Sequence, residues 1–378
     1  MRFQQFEKKK NQEWIPVVTT DKKLKNPLVL VFGNRYELEH PEIYNEVKTL
    51  FPDGEIVIGS TAGEIIGGKV YDDSITLTAI EFEKSTYAIF RENSIDNNKD
   101  AIQLGNKLIQ KVNKEGLKHI FIVSEGSFVN GSALIEGLET KIDNVAITGG
   151  LCGDDSRFEK TITGYNEPPK EGEVVLIAFY GESLEISYAQ YGGWTPFGPE
   201  RIITKSDQNI LHELDNKPAL DLYKKYLGDK AAELPQSALL YPLSVKSKDK
   251  KESIVRTILS IDEKTNTMTL AGDVPEGSVV QLMMGHIDHI VDGAQLAAEI
   301  GMKNRKTKPD LALLVSCIGR KLVMDQRVEE EVEEVIESIG SQAIVAGFYS
   351  YGELAPFAGK NSSCELHNQT MTLTLFSE

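Results

Sequence analysis

The chain has 378 residues, more than one ordinary hydrophobic core requires, so two domains or one large fused body are expected. With 40% hydrophobic and 26% charged residues, it has the composition of a soluble globular protein, which excludes extensive disorder. Its 41 basic and 57 acidic residues give a formal charge of -16, which excludes nucleic acid and anionic membrane surfaces as partners held by bulk electrostatics.

The opening run MRFQQFEKKKNQEW lacks an apolar core of signal-peptide length. No later run approaches the ~20 apolar residues needed to cross a bilayer. A cytoplasmic location without membrane insertion is therefore expected. Period and punctuation then predict a strand over 27–33, a helix over 41–50 and a strand over 55–59. The runs SITLTAIEF and STYAIFREN alternate, which predicts a half-buried antiparallel pair. A helix over 100–114 leads into HIFIVSEGS, a helix over 131–139 and the strand NVAITGG, so the strand, helix, strand unit recurs.

Strands at KTITGYN, EVVLIAFYG and LEISYAQYG close the first half. The Gly- and Pro-rich segment 192–199 marks a boundary, dividing the chain into regions 1–195 and 196–378. Beyond it come the helix KPALDLYKKYLG, strands at SALLYPLSV, SIVRTILSID and TMTLAGDV, and a helix over 288–301. LALLVSCIG, an acidic helix over 326–339 and AIVAGFYSYGE form a third strand, helix, strand unit, and QTMTLTLF is the last strand. In the acidic helix, Val328, Val332, Val335 and Ile336 are expected to face inward, with the glutamates solvated. The fold class read from this order is α+β with α/β-like units: mixed β-sheets covered by helices, in two halves with recurring units.

Each unit ends its second strand on glycine and then presents an acid: Gly59, Gly63 and Glu64; Gly149, Gly153 and Asp154; Gly347, Gly352 and Glu353. Glycine at a strand end lets a backbone or ligand approach closely, and such ends are where open α/β sheets bind ligands. Arg201 follows the boundary segment, and Arg320 and Lys321 follow a buried strand. A wall of carboxylates facing a guanidinium suits a zwitterion, because the acids meet its ammonium and the arginine its carboxylate. Cys317 is the best candidate nucleophile, since Arg320 nearby would favour its thiolate. His286 and His289 share one helix face, a spacing open to a metal, yet no second ligand cluster accompanies them and no metal site is assigned.

GSTAGEI, GGLCGDD, GWTPFGPERIITKSDQNILHELDNKPALDLYKKYLG, AGDVPEGSVVQLM, SCIGRKLVMDQRVEEEVEEV, GFYSYGELAPF and CELHNQTMTLTL occur in this order. Together they resemble the FIST family of sensory proteins, from about residue 27 to 376. The resemblance implies a FIST N region followed by a FIST C region, intracellular ligand sensing, and no established catalytic activity. It also implies a signalling partner such as a histidine kinase, a cyclic-dinucleotide enzyme or a chemoreceptor. The two regions are expected to use up the chain, leaving output to a separate protein. On motif position and chemistry, the expected ligand-binding residues are Gly59, Gly63, Glu64, Gly153, Asp154, Arg201, Arg320, Tyr349, Tyr351, Glu353, His367 and Asn368. The expected function is sensing of a small polar metabolite, an amino acid in the first instance, without a cofactor. Two alternatives stand beside it: a haem-dependent nitric oxide sensor with His367 or His286 as ligand, and a thiol-dependent acyl-transfer or hydrolytic enzyme using Cys317.

Overall fold

The strand, helix, strand units at 28–60, 117–151 and 311–350 each form a parallel strand pair, and each pair lies inside its own six-stranded sheet. The computed structural model describes all residues except 143, 235, 249, 251 and 358–362. Sheet I is built on Leu28–Gly33 and Glu55–Ser60, sheet II on Leu117–Ser124 and Ala146–Leu151, and sheet III on Leu311–Cys317 and Ile344–Ser350. In every sheet, antiparallel strands flank the parallel pair on both sides.

Alternation along these strands explains why they read as continuous apolar runs. Leu28, Leu30 and Phe32 of sheet I meet Phe121 and Val123 of sheet II and Leu311, Leu313 and Val315 of sheet III in one shared core. The intervening residues face outward onto helices. Val29 and Val31 pack with Ile43 and Val47 of helix Pro41–Leu50. Ile120 and Ile122 pack with helices Ala101–Lys111 and Gly131–Glu139. Ala312 and Leu314 pack with helices Ile287–Met302 and Val328–Ile339. Both faces of each central strand are thus buried, one against the other two sheets and one under helix.

A fourth, eight-stranded antiparallel sheet, sheet IV, is formed by strands from Thr195–Asp207 to Val279–Met284 and has its own core under helix Ala219–Leu227. The two halves also exchange strands. Glu64–Ile66 from the first half pairs with Ile344–Ser350 in sheet III, and Gly352–Pro356 from the second half pairs with Ala146–Leu151 in sheet II. Thr163–Tyr165 pairs with Glu55–Ser60 in sheet I. The segment after each unit therefore completes the sheet of another unit, and the exchange closes in a cycle.

The expected pairing of SITLTAIEF with STYAIFREN is corrected. Ser74–Glu81 lies inside sheet I between Leu28–Gly33 and Arg2–Lys9, buried along its whole length, whereas Thr86–Asn93 is the edge strand of sheet II. Between them the chain crosses from one sheet to another instead of turning back. The N-terminal strands Arg2–Lys9 and Ile15–Val18 were not expected, because the first is mostly polar and the second is only four residues long and contains a proline.

The acidic helix holds Val332 and Val335 inward as expected, with Val328 and Ile336 half-buried, but Glu331 shares that inner face. Its side chain and that of Arg320 are fully buried and paired at 2.7 Å. Glu331 also accepts from Ser316 Oγ at 2.8 Å and Tyr349 OH at 2.7 Å. Removing one member of such a pair strands the other charge in the interior. Glu331→Ala is therefore expected to lower unfolding stability by about 3–5 kcal/mol in urea titrations.

Candidate functional site

The three glycine-and-acid loops converge. Gly153 N–H donates to Ser60 O at 2.9 Å and Asp155 N–H to Thr61 O at 3.1 Å, joining the first loop to the second. Ala62 N–H donates to Tyr349 O at 2.9 Å and Tyr349 N–H to Gly63 O at 2.8 Å, joining the first to the third. Tyr351 N–H donates to Leu151 O at 3.1 Å, which closes the ring. Small residues are required here by contact. A Cβ on Gly153 would stand 2.8 Å from Ala62 N, and Gly63 combines φ +135° with Lys321 Nζ 2.7 Å from where its Cβ would be. Gly59 packs in the same region, against Cys152 and Val123.

The carboxylates of these loops do not form one wall. Each is enclosed by its own partners. Glu64 accepts from Thr61 Oγ1 at 2.6 Å and Ser74 Oγ at 2.5 Å. Glu353 accepts from Ser350 Oγ at 2.6 Å and from Thr370 Oγ1 at 2.9 Å. Asp154 receives Arg35 Nε at 2.9 Å and Arg157 Nη2 at 2.7 Å. Burial without a cation at hydrogen-bond distance pushes the carboxyls of Glu64 and Glu353 up to about 8. Asp154 is held below the usual carboxylate range, because its two guanidinium partners and the Lys160 N–H outweigh burial.

The other expected site residues are dispersed. Arg320 spends its donors on Glu331 and on the carbonyls of Gly192 and Ile290. Arg201 lies in sheet IV, a third exposed, paired with Asp215 at 3.0 Å and with Tyr226 OH. Tyr349 is buried against Glu331, while Tyr351 stacks on Phe158 at 4.5 Å and bridges Asp155 O to Phe158 N–H. Asn368 is buried, with neither end of its amide hydrogen-bonded. The Cys317 thiol is raised by burial, which reverses the expected thiolate and outweighs the lowering effect of Arg320.

His367, one of the two histidines expected as a haem ligand, ends the strand Cys364–His367. It is buried, burial lowers it to about 4, and its Nε2 is engaged with Ala355 O at 3.0 Å, a contact that an iron on Nε2 would have to displace. The rings of His286 and His289 lie 5.3 Å apart, tilted by 43°, and His286 lies on the surface with its side chain 61% exposed. Among the described residues, no group of three or more His, Cys, Asp or Glu side chains has the arrangement of a metal site.

A cavity of about 340 Å³ opens elsewhere, between helix Gly131–Glu139, strand Cys364–His367 and sheet IV. Glu136, Glu139, Asp273 and Glu365 line it together with Lys250 and Arg256. Both signs of charge are present, as expected for a zwitterion site, but on residues outside the expected set. Glu139 accepts from Cys364 N–H at 2.6 Å, and burial raises its carboxyl. One signal for Arg256 was available in the sequence: the alternation of Ile254, Arg256 and Ile258 places a charge on the inward face of a strand. A second, more open depression of about 770 Å³ lies between helices Ile287–Met302 and Val328–Ile339.

The two raised carboxyls make stability depend on pH. In the unfolded chain both titrate near 4.5, whereas in the fold they titrate near 8, so the fold binds more protons between these values. Their contribution is complete below about pH 4.5 and is lost as pH rises to about 8. Glu64→Gln, which keeps the shape without the charge, is expected to flatten part of this decline and to be more stable than wild type above pH 8. Urea unfolding across the window measures both effects.

The model of the FIST N domain matches residues 27–217 and that of the FIST C domain matches residues 219–356. An uncharacterised protein of Mycobacterium tuberculosis is 24% identical over 265 residues, covering 68% of this chain and 67% of that protein. An uncharacterised protein of Methanocaldococcus jannaschii is 24% identical over 216 residues, 51% of this chain and 39% of that protein. Among solved structures, a chorismatase aligns over 100% of this chain and 98% of its own, at 10% identity and a TM-score of 0.35. None of the described helices is long and apolar enough to cross a membrane. The chain belongs to the FIST family, whose domains are sensors in signal transduction, and it carries a FIST N domain followed by a FIST C domain.

Proposed function

We propose that this FIST protein senses a small polar metabolite, an amino acid in the first instance, and signals its presence to a separate protein in the cytoplasm. The observation that carries the reading is the position of the 340 Å³ cavity. Helix Gly131–Glu139 on one side belongs to the FIST N segment, and Val245, Arg256 and Asp273 on the other belong to the FIST C segment. The volume is at the small end of the ligand-pocket range, which favours a metabolite over a larger cofactor.

A ligand in this cavity touches both segments at once. It therefore favours whichever relative arrangement brings the walls to contact distance, by as much as its affinities for the two arrangements differ. A histidine kinase, a cyclic-dinucleotide enzyme or a chemoreceptor that prefers one arrangement would read that difference. The role is binding without conversion. Each cysteine is buried with its thiol raised, which leaves no activated thiolate among them for covalent chemistry.

Calorimetry of the purified chain against the free amino acids tests the proposal. At least one is expected to bind, and Glu139→Gln is expected to weaken it by about ten-fold, the equivalent of about 1.4 kcal/mol. Absence of binding by every amino acid would overturn it.

A further inference from the structure

We propose that Arg256 is the anchor for the ligand's anionic group, and that Asp273 receives the adjacent ammonium, which makes the cavity a site for α-amino acids bound through their backbone atoms. This inference rests on the sensing role proposed above and goes further by assigning the residues and the ligand's orientation.

Arg256 ends the edge strand Ile254–Arg256 of sheet IV and is only 5% exposed. Its Nη1 donates to Leu366 O at 2.6 Å and its Nε to Asp273 O at 3.3 Å. Both acceptors are neutral carbonyls. Every other arginine of the chain has a carboxylate oxygen within 4.0 Å. Among the described residues, Arg256 has none.

A buried guanidinium without a counter-charge carries a large desolvation penalty, so it needs a compensating reason to be there. Burial accordingly lowers Arg256 to about 10, with Asp273 and Glu365 offsetting only part of the effect. The group is also held in place. A Cβ on Gly272 would stand 2.8 Å from its Cζ, so the guanidinium lies directly against the glycine backbone. Nη2 makes no hydrogen bond to a described residue, and the side chain forms part of the cavity wall.

Asp273 supplies the complementary deficit. Its Oδ1 is buried without a hydrogen-bond donor, in the same wall, one residue from Gly272. An arginine lacking an acid and an acid oxygen lacking a donor thus stand side by side without satisfying each other. A molecule carrying a carboxylate and an ammonium on the same carbon supplies both. The guanidinium takes the carboxylate through charge-assisted bonds, and Asp273 Oδ1 takes the ammonium. Glu136 and Glu139 on the facing helix are left to meet the ligand's side chain.

The test uses wild-type protein with three probe series: the free L-amino acids, their carboxamides, and inorganic phosphate with acetate. Any amino acid that binds is expected to lose at least about ten-fold in affinity as its carboxamide, which keeps the ammonium but lacks the anion. Equal binding of acid and amide would overturn the role of Arg256 and leave the sensing role standing. If no amino acid binds, thermal protection by phosphate or acetate that vanishes in Arg256→Gln would support the anchor and overturn amino-acid sensing. Absence of any effect from all three series would overturn both. The acid-against-amide comparison needs no variant, so it decides the question even if Arg256→Gln folds poorly.

Discussion

The ring of backbone hydrogen bonds among the loops at 60–64, 151–155 and 349–353 is the constraint on which the rest of the structure depends. Each loop must leave its own sheet, pass the other two and deliver a strand to a different sheet. No sheet is complete until another unit has contributed its strand. The three sheets therefore share one core at the centre and keep their helices outside. The position of Gly153 follows from this, since any side chain there would meet the backbone of the first loop.

The same crowding determines the chemistry of the loops. Glu64 and Glu353 occur at the crossovers where hydroxyls replace water, so their carboxyls are poised near neutrality. At the third crossover Asp154 meets Arg35 and Arg157 and remains ionised. One motif position thus holds an acid in three places, its carboxyl raised by burial at two and lowered by guanidinium partners at the third, according to what the neighbouring elements bring. Each of these acids is enclosed by its own partners, and the cavity that joins the two family segments is lined by residues from other elements.

Much of the framework was legible in the sequence. The helices at 41–50 and 131–139 coincide with the predicted spans, because proline at a helix start and Asn130 as a cap are local signals. The convergence of the three loops was also legible in their shared wording. What each acid or arginine touches was not. Arg320 looked like a ligand-facing cation after a strand, yet it is neutralised by Glu331 from a helix that reads as solvated. Arg256 carried no motif, yet among the described residues it has no carboxylate oxygen within 4.0 Å. Pairing of charges is settled by residues distant along the chain, and nothing in the local pattern records it.

The sequence by itself determined the three strand, helix, strand units, the fold class and the family, because hydrophobic period, capping and motif order are properties of neighbouring residues. Only the tertiary structure decided which sheet each strand joins. It separated Ser74–Glu81 from Thr86–Asn93 and carried Glu64–Ile66 into sheet III. It also formed a charged cavity at the junction of the two segments, on residues that no sequence motif grouped together. The physical reason is the same in each case: strand partners, burial and counter-charges come from across the fold, and they are assigned when the sheets close around their common core.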